Sequence, residues 1–330
     1  MKKTMKLLSF VLALLMILPL ALMSCAPKAD GDLEIKVYAL NGTTALGMAQ
    51  MIQKAKDGTD TMNYNISLHA SADAITGAIV NGECAIAALP TNAAANLYKK
   101  SQGKIQLLAL NTLGVLYLLD AENSVSSIND LRGKTVYVPG SGTNPEFITI
   151  ALLEAAGLKV GTDVFVNATD YNSPDALQAA IIQGQAKIAV LPEPKVTVVT
   201  KQKPTVSVAL NLTEEWEAIH GENTLVQGCL VVNKVFAEEH PVEVARFLKD
   251  YEDSVNYIKA GSDDAITMIV NAKILLNAEV AKKALPKCNL CFISGEDMKP
   301  LMNSFCQTLH ESNSKAVAAI PDDGFYFVAE

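Results

Sequence analysis

From Leu33 to Asn233 the chain alternates two hydrophobic rhythms. The runs LEIKVYAL, NYNISLHA, CAIAAL and IQLLALN are short and largely apolar, as strands are when a parallel sheet is covered on both faces. Between them ALGMAQMIQKAKDG, ending at Gly58, and AANLYKK show the three- and four-residue apolar spacing of amphipathic helices. After INDLRGK the pattern restarts. Strand TVYVPG leads through SGTNPE to helix FITIALLEAAG, with Pro145 in its first turn, then come a strand near VFVNAT, the run AKIAVL, a helix at KVTVVTK and strand TVSVALN.

Part of the restart is a literal repeat. Ser71–Asn92, SADAITGAIVNGECAIAALPTN, returns 102 positions later as SPDALQAAIIQGQAKIAVLPEP, with 10 identities and no gap. Chance would supply about one or two at ordinary amino-acid usage. Each copy predicts a helix and a buried strand. Ser71 and Ser173 occupy the N-cap, Asp73 and Asp175 the first turn, Gly82 and Gly184 the C-terminal stop, and Pro90 and Pro192 end the strands. Two further apolar runs each carry a glycine, LGVLYLL from Leu113 to Leu119 and QGCLVVN before Lys234, and predict strands that cross between two lobes. The segment LTEEWEAIHGEN reads as an acidic loop carrying Trp216. Everything after Asn233 reads as helices packed on the first lobe.

Half of the 330 residues are hydrophobic, enough for two cores. MKKTMK followed by LLSFVLALLMILPLAL reads as an export signal over residues 1–24, and Leu22-Met23-Ser24-Cys25 has the form of a lipobox, with Cys25 as the lipidated residue. An uncleaved membrane anchor is the plainer alternative. Residues 25–32 then form a lipidated tether. Loss of the signal leaves 24 basic against 35 acidic side chains and a net charge of −11, which disfavours nucleic acid as a partner. Cys288-x-x-Cys291 is the one pair with metal or redox spacing. Without a second half it reads as apolar filler, and no metal or cofactor is expected.

In open parallel sheets, ligands sit beyond the carboxyl ends of the strands. That rule selects Asn41, Gly42, Thr43 and Thr44, His69, and Thr91 with Asn92 in the first lobe. In the second it selects Ser141, Gly142, Thr143 and Asn144 of the turn GSGTN, and Glu193. GSGTN could offer backbone N–H groups to an anion or merely cap its helix. Glu193 could accept from a ligand amine or be satisfied by the backbone of its own helix. His69 could face the cleft or be an ordinary packed histidine, and Trp216 could wall the site or fill a core. Only Arg132 and Arg246 carry guanidinium groups, and neither falls on the rim. No Walker loop, serine elbow or HExxH motif is present, so the chain is not read as an enzyme.

Taken in order, LMSC, VNGECAIAALPTNAAANLY, INDLRGKTVYV, AVLPEP, NLTEEWE and PVEVARFLKDYEDSVNYI resemble the solute-binding lipoproteins of ABC importers. The likeness is to the nitrate/sulfonate/taurine (NitT/TauT) class and its relatives that bind thiamine-pyrimidine precursors. The resemblance implies an α/β, type II periplasmic-binding-protein fold: two βαβ lobes joined by two crossover strands, with a ligand cleft between them. It implies a monomer that hands a small molecule to an ABC permease and its ATPase subunits from the extracytoplasmic face of the membrane. The expected lobes are 33–113 with 229–330, and 114–228. The family's cleft positions fall on Asn41–Thr44, Thr91 and Asn92, Gly140–Asn144 and Glu193. The missing cleft arginine and the carboxylate at Glu193 depart from the pattern, and leave a neutral or amine-bearing heterocycle open beside sulfonate or nitrate. Two other readings stay open: a sensor lipoprotein presenting its ligand to a membrane receptor, and a pyrimidine-forming enzyme of the same fold, which the export signal disfavours.

Overall fold

A computed structural model of the chain describes residues 29–60 and 62–328. The export signal and Cys25 lie outside the described residues. Strand β1 (Glu34–Leu40), helices α1 (Thr43–Leu46) and α2 (Ala49–Asp57), strand β2 (Asn63–His69), helix α3 (Ala72–Asn81), strand β3 (Ile86–Pro90), helix α4 (Thr91–Ser101) and strand β4 (Ile105–Thr112) come first. Then follow β5 (Leu116–Asp120), β6 (Thr135–Tyr137), α5 (Asn144–Ala155), β7 (Phe165–Asn167), α6 (Pro174–Gln183), β8 (Ile188–Pro192), α7 (Lys195–Gln202), β9 (Ser207–Asn211) and α8 (Leu212–His220). The rest is β10 (Gly228–Asn233), α9 (Lys234–Glu239), α10 (Pro241–Lys259), α11 (Asp263–Asn271), α12 (Ala278–Ala284), β11 (Leu290–Ser294) and α13 (Met298–Ser312).

The strands form two sheets, ordered β11-β4-β10-β3-β1-β2 and β7-β6-β8-β5-β9. Each has a parallel trio, β3-β1-β2 or β8-β6-β7, and one antiparallel strand contributed by the chain as it crosses. β10 lies between β3 and β4, with Leu230 opposite Ala88 and Ala109. β5 lies between β8 and β9, with Leu118 opposite Val190 and Leu210. Both apolar runs with glycine are therefore the exchanged strands. The two repeat copies are α3–β3 and α6–β8, each with a serine hydroxyl accepting at the N-cap and a left-handed glycine at the stop, φ +74° at Gly82 and +80° at Gly184.

Four expectations are corrected. The helix expected from Ala45 to Gly58 is broken at Gly47 and Met48. A Cβ on Gly47 would stand 2.5 Å from the Tyr251 hydroxyl, so α10 leaves no room for an ordinary residue there. LTEEWEAIH is a helix and not a loop: Asn211 caps it through the Thr213 N–H, Glu214 and Glu215 favour its first turn, and Leu212 and Trp216 are buried one turn apart. The segment after Asn233 is not wholly helical, because β11 pairs antiparallel with β4. The chain near Tyr326 covers β4 at Leu107. Finally, the C-terminal helices do not pack on the first lobe alone. α13 buries Met298, Met302, Phe305 and Leu309 against α4 and α5, while α12 packs on α7. One apolar cluster thus runs from Ile75 and Leu89 through Leu116, Leu225 and Trp216 to Val136 and Phe147, joining both sheets.

Candidate functional site

The strand ends of the two sheets meet at Thr91 and Asn144. Pro90 passes directly from β3 into α4, so Thr91 opens that helix; Asn144 opens α5 behind Thr143 at the N-cap. Both are buried, at 0% and 5% exposure. The Thr91 hydroxyl donates to the Val226 carbonyl at 2.7 Å, and Asn144 Nδ2 donates to the Gln227 carbonyl at 3.3 Å and to Thr91 Oγ1 at 3.4 Å. A carbonyl only accepts, so the Gln227 carbonyl fixes which end of the Asn144 amide is nitrogen. Asn144 Oδ1 is then left buried without a partner among the described residues. Such an acceptor costs about 1–3 kcal/mol.

Gln227, which sequence reasoning missed, ties the two crossings together. Its side-chain oxygen accepts from the Val115 N–H at 2.7 Å, and its own N–H donates to the Thr112 carbonyl at 2.9 Å. Asn111 and Thr112 were missed as well. Asn111, fully buried, donates to the Thr44 carbonyl at 3.1 Å and accepts from the Thr112 hydroxyl at 3.1 Å, while Thr44 itself donates to the Leu40 carbonyl at 2.7 Å. A polar pair closing the apolar strand IQLLALNT was the available signal, strengthened by ALN returning at β9. A third segment joins the crossing. Asn289 accepts from the Leu113 N–H at 3.0 Å, and its side chain donates to the Gly114 carbonyl at 2.5 Å.

The other predicted residues divide. Asn41 is exposed at the end of β1, next to Gly42 at φ +125° and half-buried Thr43, and its N–H donates to the His69 carbonyl at 2.8 Å. His69, half-buried, lies against Tyr38 with ring centroids 4.4 Å apart and its Nε2 3.0 Å from the Ser67 hydroxyl. Asn92 is buried beside Thr91. In GSGTN the backbone already has its anion: the Glu146 carboxylate accepts from the Gly142 N–H at 2.6 Å and meets the Ser141 hydroxyl at 3.5 Å. Thr143 turns its hydroxyl onto the Pro139 and Gly140 carbonyls. Trp216 is in the interior with 0% exposure, its indole N–H donating to Thr224 at 3.1 Å.

Glu193 is 1% exposed and stands just ahead of α7. It accepts from the Thr197 N–H at 3.1 Å and the Thr197 hydroxyl at 3.0 Å, the helix-capping alternative named from sequence. Lys287, from the segment after α12, brings its ammonium within 3.8 Å. Burial raises the Glu193 carboxyl above its ordinary range, against the opposing pull of Thr197 and Lys287. The same burial, with Glu193 nearby, pushes the Tyr117 hydroxyl up to about 12. Cys288 and Cys291 are buried free thiols, as are Cys84, Cys229 and Cys306. Among the described residues no group of three His, Cys, Asp or Glu could hold a metal, and no helix is long and apolar enough to cross a membrane.

A family model described as NMT1/THI5 like matches residues 100–265, just over half of the chain. No curated protein sequence matches. Among solved structures, an ABC transporter protein from Parabacteroides distasonis shares 22% identity at a TM-score of 0.75, over 91% of this chain and 100% of that one. The periplasmic aliphatic sulphonate binding protein SsuA from Escherichia coli shares 15% at 0.73, over 92% and 94%. The CA3427 gene product of Candida albicans, described as having the generic periplasmic binding protein fold, shares 14% at 0.61, over 91% and 94%. Likeness at these identities establishes the fold, which is the two-lobed type II periplasmic-binding-protein fold expected from the sequence.

Proposed function

The chain belongs to the NMT1/THI5-like family, and on that premise we propose that it is an extracytoplasmic solute-binding lipoprotein that delivers a small molecule to the permease of an ABC importer. The lobes in this reading are 33–113 with 229–330, and 114–228. The observation that carries the reading is the contact of Thr91 with Asn144, the first residues of two helices that follow strands of different sheets. Hydroxyls and amides stand at this contact, and Glu193 is linked to it through Val115, whose carbonyl accepts from the Glu193 N–H and whose own N–H donates to Gln227, groups suited to holding a molecule. The solved relatives named for ABC transport and sulphonate binding support the same role.

The two lobes are in contact. Lys201 of α7 pairs with Glu279 of α12, and the Ser312 hydroxyl donates to Glu154 at 2.6 Å. Surface pairs of this kind contribute about 0–1 kcal/mol each, so the opening equilibrium is set more by the apolar packing of α13 on α4 and α5 than by these pairs. A ligand that binds the closed form more tightly shifts that equilibrium.

Two experiments test the reading. A thermal-shift panel on the mature chain should find a compound that, at a hundred times its dissociation constant, adds about 2.7 kcal/mol of stability. Thr91→Ala and Asn144→Ala should each weaken that compound about fivefold to tenfold, corresponding to a lost hydrogen bond of about 1 kcal/mol. If no compound shifts the midpoint and native mass spectrometry finds no retained molecule, the binding role fails. If a compound binds and neither substitution changes its affinity, the site lies elsewhere. For the anchor, fatty-acid labelling in the source cell should mark the natural chain and be lost in Cys25→Ser; label retained by the serine variant would refute lipidation at Cys25.

A further inference from the structure

We infer that the cleft prefers a small cationic N–H donor, an amine or amidine, over oxyanions such as sulfonate and nitrate. The inference rests on the binding role proposed above and adds its ligand class. An oxyanion in a fold of this kind needs free backbone N–H groups at a helix N-terminus or a guanidinium group. One of the chain's own carboxylates stands beside each helix start on the second lobe's rim. Glu146 accepts from the Gly142 N–H ahead of α5, and Glu193 accepts from the Thr197 N–H in the first turn of α7. A second anion at either place would face that negative charge.

The guanidinium groups are committed elsewhere. Arg132 pairs with Asp163 at 2.6 Å, and Arg246 with Asp250 at 3.1 Å along α10. What the seam does hold in reserve is acceptor capacity. Asn144 Oδ1, on a residue 5% exposed, has no donor among the described residues, and its orientation is fixed by the Gln227 carbonyl behind it. Glu193 uses one bond on each oxygen, from a single residue of the helix it precedes, and each oxygen can accept more.

A cation is already seen beside this carboxylate. The Lys287 ammonium lies 3.8 Å from Glu193 Oε1, yet its side chain is 52% exposed. It comes from the first lobe on an exposed stem, and a ligand ammonium could replace it. Lys287 therefore acts as a competitor for Glu193, and its removal should favour the ligand.

The test is titration calorimetry of the mature chain with putrescine, benzamidine, cytosine, ethanesulfonate and nitrate. An amine or amidine should bind more tightly than either oxyanion. Glu193→Gln should weaken that compound at least tenfold. Lys287→Met, a change at an exposed side chain, should tighten it about threefold. Glu146→Gln combined with Glu193→Gln should move the amine-to-sulfonate preference toward sulfonate. Tighter binding of ethanesulfonate or nitrate by the natural chain would overturn this inference and sustain the binding role. An amine unaffected by Glu193→Gln, or weakened by Lys287→Met, would overturn it too. Silence from every compound would count against both.

Discussion

Trp216→Ala is expected to destabilise the protein by about 3–5 kcal/mol, the usual range for removing a large buried aromatic side chain. Trp216 is the sole tryptophan and the largest fully buried side chain, at 0% exposure. Its ring lies 4.5 Å from that of His220 and 5.8 Å from that of Phe305, so one residue of α8 packs on α13, the helix shared by both lobes. Its indole N–H donates to the Thr224 hydroxyl, which in turn donates to the Gly221 carbonyl at 2.7 Å. Truncation therefore opens a cavity where the lobes are joined and leaves Thr224 short of a donor. Chemical unfolding followed by circular dichroism measures the loss. Trp216→Phe keeps most of the volume and should cost far less, about 1–2 kcal/mol for the hydrogen bond and the smaller ring. At temperatures where Trp216→Phe remains folded, ligand affinity should stay within about threefold, as a loss of 0.6 kcal/mol or less would give. If the folded phenylalanine variant lost the ligand altogether, Trp216 would have to be returned to the cleft.

Much of this architecture is written in local signals. Ser71 and Gly82, or Ser173 and Gly184, specify where a helix begins and ends without reference to the rest of the chain, and both pairs act as expected. The exchanged strands were visible because an apolar run buried on both faces leaves a strong composition signal, and β5 and β10 are buried along their whole lengths. β11 was not visible. LCFIS is too short for its period to separate strand from helix, and what makes it a strand is the open edge of β4. The error at α8 had another cause: its acidic residues resembled a solvated loop, while the deciding cap is the Asn211 side chain on the preceding strand's last residue.

The rim shows the same division. Strand ends could be placed from sequence, but partners across the seam could not. Thr91 and Asn144 meet only because two sheets are brought together, and Gln227 has no local mark of its role. Glu146 was the avoidable omission. It follows Gly142 by four residues, near enough to fill the anion site that the glycine turn suggested, and it does so at 2.6 Å. Its carboxylate places a negative charge on that turn.

Gly114→Ala, at the first crossing, is expected to cost about 1–3 kcal/mol, the range for overpacking a close contact. A Cβ there would stand 2.2 Å from Thr213 Oγ1, 2.7 Å from Leu225 Cδ2 and 2.8 Å from Thr213 Cγ2. The cost is therefore steric and comes from α8 and from the returning chain. Thr213 supplies two of the three clashing atoms, and its hydroxyl has no hydrogen-bond partner among the described residues. Thr213→Ala should accordingly cost little by itself, and in the double variant it should recover about 1–2 kcal/mol of the Gly114→Ala loss as a favourable coupling energy. Equilibrium unfolding of the four proteins in the cycle measures that energy. Simple additivity would show that the backbone does not approach α8 this closely. The carbonyl of the same glycine accepts from Asn289, and Asn289 in turn accepts from the Leu113 N–H. Three segments of the chain thus meet at the crossing. With Leu225 left as the remaining obstacle, the double variant should regain part of the lost stability and not all of it.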